Sequence, residues 1–232
     1  TDALIGSAFG SAGERCMAIS VAVCVGKKTA ENLKTKLLEE TLKLNVGPYT
    51  DEKSDFGPLN NKAHYEKVMG YIDTGEKEGA KLLSDGRNMK LQGYENGYFV
   101  GPTIFEDVKP DMKIYKEEIF GPVLSMMTTD TYEEALKLVN DHELGNGAAV
   151  FTKSGMIAKH FTENAKIGMI GVNVPIPVPV AYHSFGGWKR SLFGDHSMHG
   201  PEGVRFYTKL KTATVTWSED NSGPEFTIPV LS

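Results

Sequence analysis

Cysteine is nearly missing from this chain: of 232 residues, only Cys16 and Cys24 carry a thiol. Two thiols are too few for a secreted disulfide scaffold. A Cys16–Cys24 bridge is conceivable, but both flank or sit in what reads as one strand, which would hold them apart. A reduced, cytoplasmic protein is therefore expected. Long apolar runs are missing as well. A bilayer span needs about 20 apolar residues, whereas the longest candidate, Met17 to Val25, is interrupted by Ser20 and followed by Lys27 and Lys28. Positive charge is not in excess: 25 Lys and Arg against 30 Asp and Glu leave a net charge of −5. That balance gives no electrostatic case for nucleic acid or an anionic membrane. An anionic ligand must be held by local Arg, Lys or backbone N–H groups. No signal-peptide pattern opens the chain at Thr1-Asp2-Ala3, and no Gly-x-Gly-x-x-Gly fingerprint occurs in it. His196 and His199 stand three apart without further ligands, which reads as surface, so no metal is expected.

The residues that are present alternate between two periodicities. Ala3 to Ala12 is small and apolar and has no clear N-cap, so it reads as the tail of a helix that begins upstream. Met17 to Val25 is short, β-branched and apolar, as suits a buried parallel strand. Lys28 to Leu44 sets Leu33, Leu37, Leu38 and Leu42 at helical spacing and stops before Gly47-Pro48. Asn61 to Glu78 is a second amphipathic helix, with Tyr65, Val68, Met69 and Ile72 on one face. Lys81 to Ser84 reads as a strand, and Asn96-Gly97 as a turn before Tyr98-Phe99-Val100. Val123 to Thr128 is another strand, and Thr131-x-x-Glu134 is a capping box opening a helix to Asn140. Strand Ala148 to Thr152, helix Met156 to Asn164 and strand Gly168 to Val174 continue the alternation. Together these predict an α/β domain with a largely parallel sheet. Pro175, Pro177 and Pro179 force an irregular extended stretch. Thr212 to Trp217 is a polar alternating strand suited to pairing with another chain, and the tail from Ser218 reads as loosely tied.

Two segments have the makings of chemistry. In Gly10-Ser11-Ala12-Gly13-Glu14-Arg15-Cys16-Met17, glycines and small residues let backbone approach a ligand. A cysteine where such a loop meets a strand can act as a nucleophile, with its own N–H available to an oxyanion. On the residues alone the alternative is a packing cysteine; Cys24, inside the strand, is read as structural. The second segment is Tyr115-Lys116-Glu117-Glu118-Ile119-Phe120-Gly121-Pro122-Val123. It would present a carboxylate and a ring beside a Gly-Pro turn, though alone it is equally a solvated acidic turn.

In this order and separation, the two segments resemble the aldehyde dehydrogenase superfamily. The resemblance runs on through Phe56-Gly57-Pro58-Leu59, Gly101-Pro102-Thr103, Ala148-Ala149-Val150-Phe151-Thr152, Gly171-Val172-Asn173 and Ser184-Phe185-Gly186-Gly187-Trp188-Lys189, so it covers nearly the whole chain. Gly13-Glu14-Arg15-Cys16-Met17 and the stretch Gly171 to Pro179 are similar to the methylmalonate-semialdehyde branch, where most relatives carry Gln in place of Glu14. The superfamily's dinucleotide-binding half precedes the cysteine. Only about fifteen residues do so here, so that half is expected to be absent.

The resemblance implies a role for each residue. Cys16 is the nucleophile, adding to an aldehyde to give a thiohemiacetal and then, after hydride transfer to NAD, a thioester. In the acylating branch the acyl group loses CO2 and passes to coenzyme A. Glu118 would bind the nicotinamide ribose hydroxyls and Phe120 would pack beside the nicotinamide, with Glu117 in solvent. His64 and Lys67 fall on the helix that borders the cofactor's adenosine side; the alternative is a plain exposed face. Arg15 follows from charge: the substrate carries a carboxylate, and an arginine beside the nucleophile can clamp it bidentately. The alternative is an arginine tied to loop carbonyls. Residues 1–207 are expected to form the catalytic domain and 208–232 an oligomerisation strand and tail joining copies of the chain. Competing readings are a hydrolytic dehydrogenase and, for the isolated chain, an inactive self-associating piece.

Overall fold

The structure is a computed structural model that describes residues 1–215 and 217. At its centre is a four-stranded sheet in the order β1–β4–β3–β2. The strands are β1 (Val21–Val25), β2 (Lys81–Ser84), β3 (Thr103–Glu106) and β4 (Val123–Thr129). β1 and β3 both run parallel to β4, and β2 closes the edge antiparallel to β3. A largely parallel sheet needs cover on both faces, and helices supply it: α1 (Asp2–Phe9), α2 (Lys27–Thr41) and α3 (Lys62–Lys77). Leu37, Val68, Ile72, Ile104, Phe105 and Leu124 are fully sealed in the core they form. Each large apolar side chain so buried contributes roughly 1.5–3 kcal/mol.

The pattern of each helix explains its placement. α3 buries Val68, Ile72 and Gly75 at spacings of four and three, one stripe of a 3.6-residue period. Gly75 lets the helix lie on the sheet, because a Cβ there would meet Phe105 at 2.9 Å and Ile114 at 3.0 Å. Asn61 caps α3 by accepting from the His64 N–H at 2.9 Å. α2 ends at Thr41 rather than at Leu44, so Leu42 falls past the last turn and is 88% exposed instead of joining Leu37 in the core.

A second layer follows. After α4 (Lys113–Lys116) come α5 (Tyr132–Asp141) and α6 (Gly155–Asn164), with β5 (Leu144–Gly145), β6 (Gly147–Val150), β7 (Met169–Val172) and β8 (Trp188–Lys189) between and after them. β6 and β7 pair in parallel, and β5 pairs antiparallel with β8. The expected capping box at Thr131 and Glu134 opens α5. At the other end of α5, Lys189 donates from Nζ to the carbonyls of Val139, Asn140 and His142 at 2.9–3.1 Å. A cation there satisfies orphan carbonyls and opposes the negative end of the helix dipole.

Two strand expectations are corrected. β1 begins at Val21, so Met17 to Ser20 is irregular backbone; Ile19 N–H there is drawn to the Ser7 carbonyl of α1, at 3.1 Å, instead of to a ladder. Thr212 to Val215 form no strand among the described residues and are exposed, because no strand lies beside them to complete a ladder. Thr216 and the tail from Ser218 lie outside the described residues. β3, absent from the sequence reading, is a third missing piece: Thr103-Ile-Phe-Glu is too short to announce a period.

One contact holds the two chemically suggestive segments together. Gly13 sits at φ 72°, and a Cβ on it would run into the Gly121 carbonyl. Gly121 in turn lies against α3, where a Cβ would meet Val68 at 2.7 Å. A Gly13→Ala variant should therefore lose about 2 kcal/mol or more, combining the left-handed penalty with the collision. Its Tm should fall by several degrees in calorimetry; an unchanged Tm would mean that the two backbones can part without cost.

Candidate active site

The loop carrying Cys16 is bent by unusual backbone. Ser11 and Ala12 both adopt left-handed conformations, φ 54° and 56°, ahead of Gly13. The chain then turns at Arg15 to Ala18, closed by Ala18 N–H donating to the Arg15 carbonyl at 3.1 Å. This turn projects Cys16 into solvent, while Cys24, the fourth residue of β1, is buried. Both thiols are free. Burial pushes the Cys24 thiol up to about 11, since a thiolate there would be desolvated.

Cys16 and Arg15 line a narrow cleft of about 40 Å³ whose far wall is Glu118, Ile119 and Phe120. The fold thus unites residues a hundred positions apart. Ile119 is buried and anchors that wall, while Glu118 is exposed and Phe120 half-buried. Phe120 holds φ 61°, an uncommon state for a bulky residue. Strain of that kind costs of order 1–3 kcal/mol and persists only where neighbours impose it. Here His64 and Lys67 impose it. The His64 Nε2–H donates to the Phe120 carbonyl at 2.6 Å, and Lys67 Nζ donates to the Glu118 carbonyl at 3.1 Å. The two α3 residues thus grip the backbone of the wall.

Glu14 completes the junction. Its Oε1 accepts from the Asn60 N–H at 3.2 Å and lies 3.3 Å from His64 Nε2. With Glu14 so engaged, Arg15 forms no hydrogen bond or ion pair among the described residues, unlike a structural arginine tied to loop carbonyls. Glu117 is exposed and accepts from the Tyr71 hydroxyl; burial, then that bond, pushes the tyrosine up to about 12. Elsewhere, His196 pairs with Glu202 at 2.8 Å and His199 stacks on Phe185. Among the described residues no three His, Cys, Asp or Glu converge as metal ligands, and no helix is long and apolar enough to cross a membrane.

The sequence reading missed Asn146. Its side chain donates to the Cys16 carbonyl at 3.4 Å and to the Met17 sulfur at 3.0 Å, tying the Cys16 turn to the β5–β6 connection. The available signal was its setting, Gly145-Asn146-Gly147, a polar residue between two glycines inside an apolar run.

The aldehyde dehydrogenase family model matches residues 1–213. The chain belongs to the aldehyde dehydrogenase family. Among relatives of this aldehyde dehydrogenase chain, a malonate-semialdehyde dehydrogenase of Pseudomonas aeruginosa is 53% identical over 99% of the chain and 46% of the relative. A mitochondrial acylating methylmalonate-semialdehyde/malonate-semialdehyde dehydrogenase of Bos taurus is 48% identical over 98% of the chain and 43% of the relative. Among solved structures, a protein of Sinorhizobium meliloti 1021 bearing the methylmalonate-semialdehyde dehydrogenase name, in complex with NAD, superposes with a TM-score of 0.88 at 55% identity. It covers 96% of this chain and 45% of that one. The chain therefore spans under half the length of the relatives it matches.

The contrast between the thiols is directly testable. Iodoacetamide at neutral pH should modify Cys16 and leave Cys24 untouched in the folded chain, as mapped by mass spectrometry. Preferential labelling of Cys24 would remove Cys16 from the role of accessible nucleophile.

Proposed function

We propose that this chain is the catalytic part of an NAD-dependent, CoA-acylating dehydrogenase of malonate or methylmalonate semialdehyde. The observation that carries the proposal is the cleft in which an exposed thiol, a guanidinium and a carboxylate without partners among the described residues, and a strained aromatic residue converge. The names of its relatives supply the substrate class.

Cys16 is the attacking group: its thiolate adds to the aldehyde carbon, and the oxyanion that forms faces backbone N–H groups of the turn. Arg15 takes the substrate's carboxylate. The carboxylate must lose water to approach the thiol, and an unpaired anion there would be costly. Glu118 and Phe120 fit one edge of a nicotinamide riboside, the carboxylate suiting ribose hydroxyls and the ring the apolar face. NAD, when bound, supplies the hydride acceptor. His64 and Lys67 serve that edge, as cofactor-side residues, by holding the carbonyls of Phe120 and Glu118. Once the acyl group sits on Cys16 as a thioester, it loses its carboxylate as CO2 and the α-carbon takes up a proton in its place. The thiol of coenzyme A, giving up its proton, then attacks the carbonyl and expels the Cys16 thiolate. Residues 1–207 carry this chemistry. We assign 208–232 to contact with another copy of the chain, which the exposed Thr212 to Val215 segment supports. Two free cysteines suit a reducing compartment such as the cytoplasm.

The test uses an enzyme of the relatives' full length that contains this chain. Coenzyme A should accelerate turnover of malonate semialdehyde and appear in the product thioester; free acid formed without CoA dependence would assign the hydrolytic course. In the same enzyme, Arg15→Leu should lower kcat/KM for the carboxylated aldehyde by about tenfold or more, the worth of a charge-assisted hydrogen bond. Propanal, which carries no carboxylate, should lose much less. Equal losses on both would make Arg15 a support of the loop.

A further inference from the structure

Gly10 has no conformational need to be glycine. Its backbone, φ −52° and ψ 136°, is one that any L-residue adopts. The reason lies in space. A Cβ on Gly10 would stand 3.2 Å from Nη1 of Arg15, and beyond the neighbouring residues no other heavy atom lies within 4 Å. The Arg15 guanidinium therefore lies over Gly10, which offers it no side chain, while Arg15 also lines the Cys16 cleft. Gly10 itself borders a larger groove of about 420 Å³ with Ile5, Phe9 and Phe56, and Arg15 is exposed, not packed into the core.

We propose that Gly10 is a specificity-determining residue: lacking a side chain, it leaves the place in which the Arg15 guanidinium stands at the border of the Cys16 cleft. It thereby sets the preference of that thiol for electrophiles bearing a carboxylate. The inference deepens the reading of Arg15 as the carboxylate-binding cation and rests on it. Alanine at position 10 needs a shift of a few tenths of an ångström from the far end of a flexible side chain. Valine adds two γ-methyls to a Cβ that already stands 3.2 Å from Nη1, so the guanidinium has to move further. Neither change strains the backbone, so selectivity should move while the fold holds. Glycine to alanine at a compatible φ even restricts the unfolded chain in favour of folding.

Two alkylating reagents of similar size separate charge from reactivity: iodoacetate, which carries a carboxylate, and iodoacetamide, its neutral counterpart. With either, the Cys16 sulfur bonds to the methylene carbon as the carbon–iodine bond breaks and iodide leaves. Because both meet the same thiolate, the ratio of their rates cancels any change in thiol ionisation. The ratio at Cys16 is measured by mass spectrometry in the 232-residue chain and in Gly10→Ala, Gly10→Val and Arg15→Leu. Unlabelled Cys24 reports that each variant is folded. Arg15→Leu should lower the iodoacetate-to-iodoacetamide ratio about two- to fivefold, the range for an exposed ion pair. Gly10→Val should approach the same value, with Gly10→Ala between. A ratio that falls in Arg15→Leu but stays at the parent value in Gly10→Val would overturn the role of Gly10 and leave that of Arg15 intact. No change in Arg15→Leu would overturn both. Should Cys24 become labelled in Gly10→Val, that variant is unfolded and Gly10→Ala decides on the same measurement.

Discussion

The site depends on the approach of two glycines. Gly13 and Gly121 meet backbone to backbone, and Gly121 is pressed from the other side by Val68 of α3. No side chain fits at either position, so the Cys16 loop, the Glu118–Phe120 wall and the helix stack at a distance that only bare peptide groups reach. Everything described in the cleft follows from that stack. It sets the width between Cys16 and Phe120, and it brings His64 and Lys67 within reach of the wall's carbonyls.

Around this junction, polar groups are divided between holding backbone and facing the cleft. Glu14, His64, Lys67 and Asn146 spend their hydrogen bonds on main-chain atoms, on one another or, for Asn146, on the Met17 sulfur. Arg15 and the Glu118 carboxylate do not, and these two flank Cys16. A conformationally strained Phe120 fits the same division, since its carbonyl is held by His64 of α3. The second layer contributes from further away. Lys189 closes the end of α5, β8 pairs with β5, and Asn146, one residue past β5, reaches the Cys16 turn.

How much of this could be read in the sequence varied with the range of the forces involved. The helices were legible because burial of one stripe writes itself into residues three and four apart, as Val68 and Ile72 show in α3. The capping box at Thr131 was legible because both of its hydrogen bonds close within four residues. β3 was not, because four residues flanked by turns carry too little period. The start of β1 was misplaced because Met17 to Ser20 are as apolar as a strand, yet the Ser7 carbonyl of α1, out of view in the local pattern, takes the Ile19 N–H.

By itself the sequence determined the α/β alternation, the difference between a loop cysteine and a strand cysteine, and the order of motifs that marks the family. These are properties of neighbouring residues and of the order in which segments occur. Only the tertiary structure decided that His64 and Lys67 grip the wall, that Asn146 touches Cys16, and that the Arg15 guanidinium lies over Gly10. Each of those is a contact between atoms whose separation along the chain says nothing of their distance in space. Such contacts are set by how the helices and sheet pack.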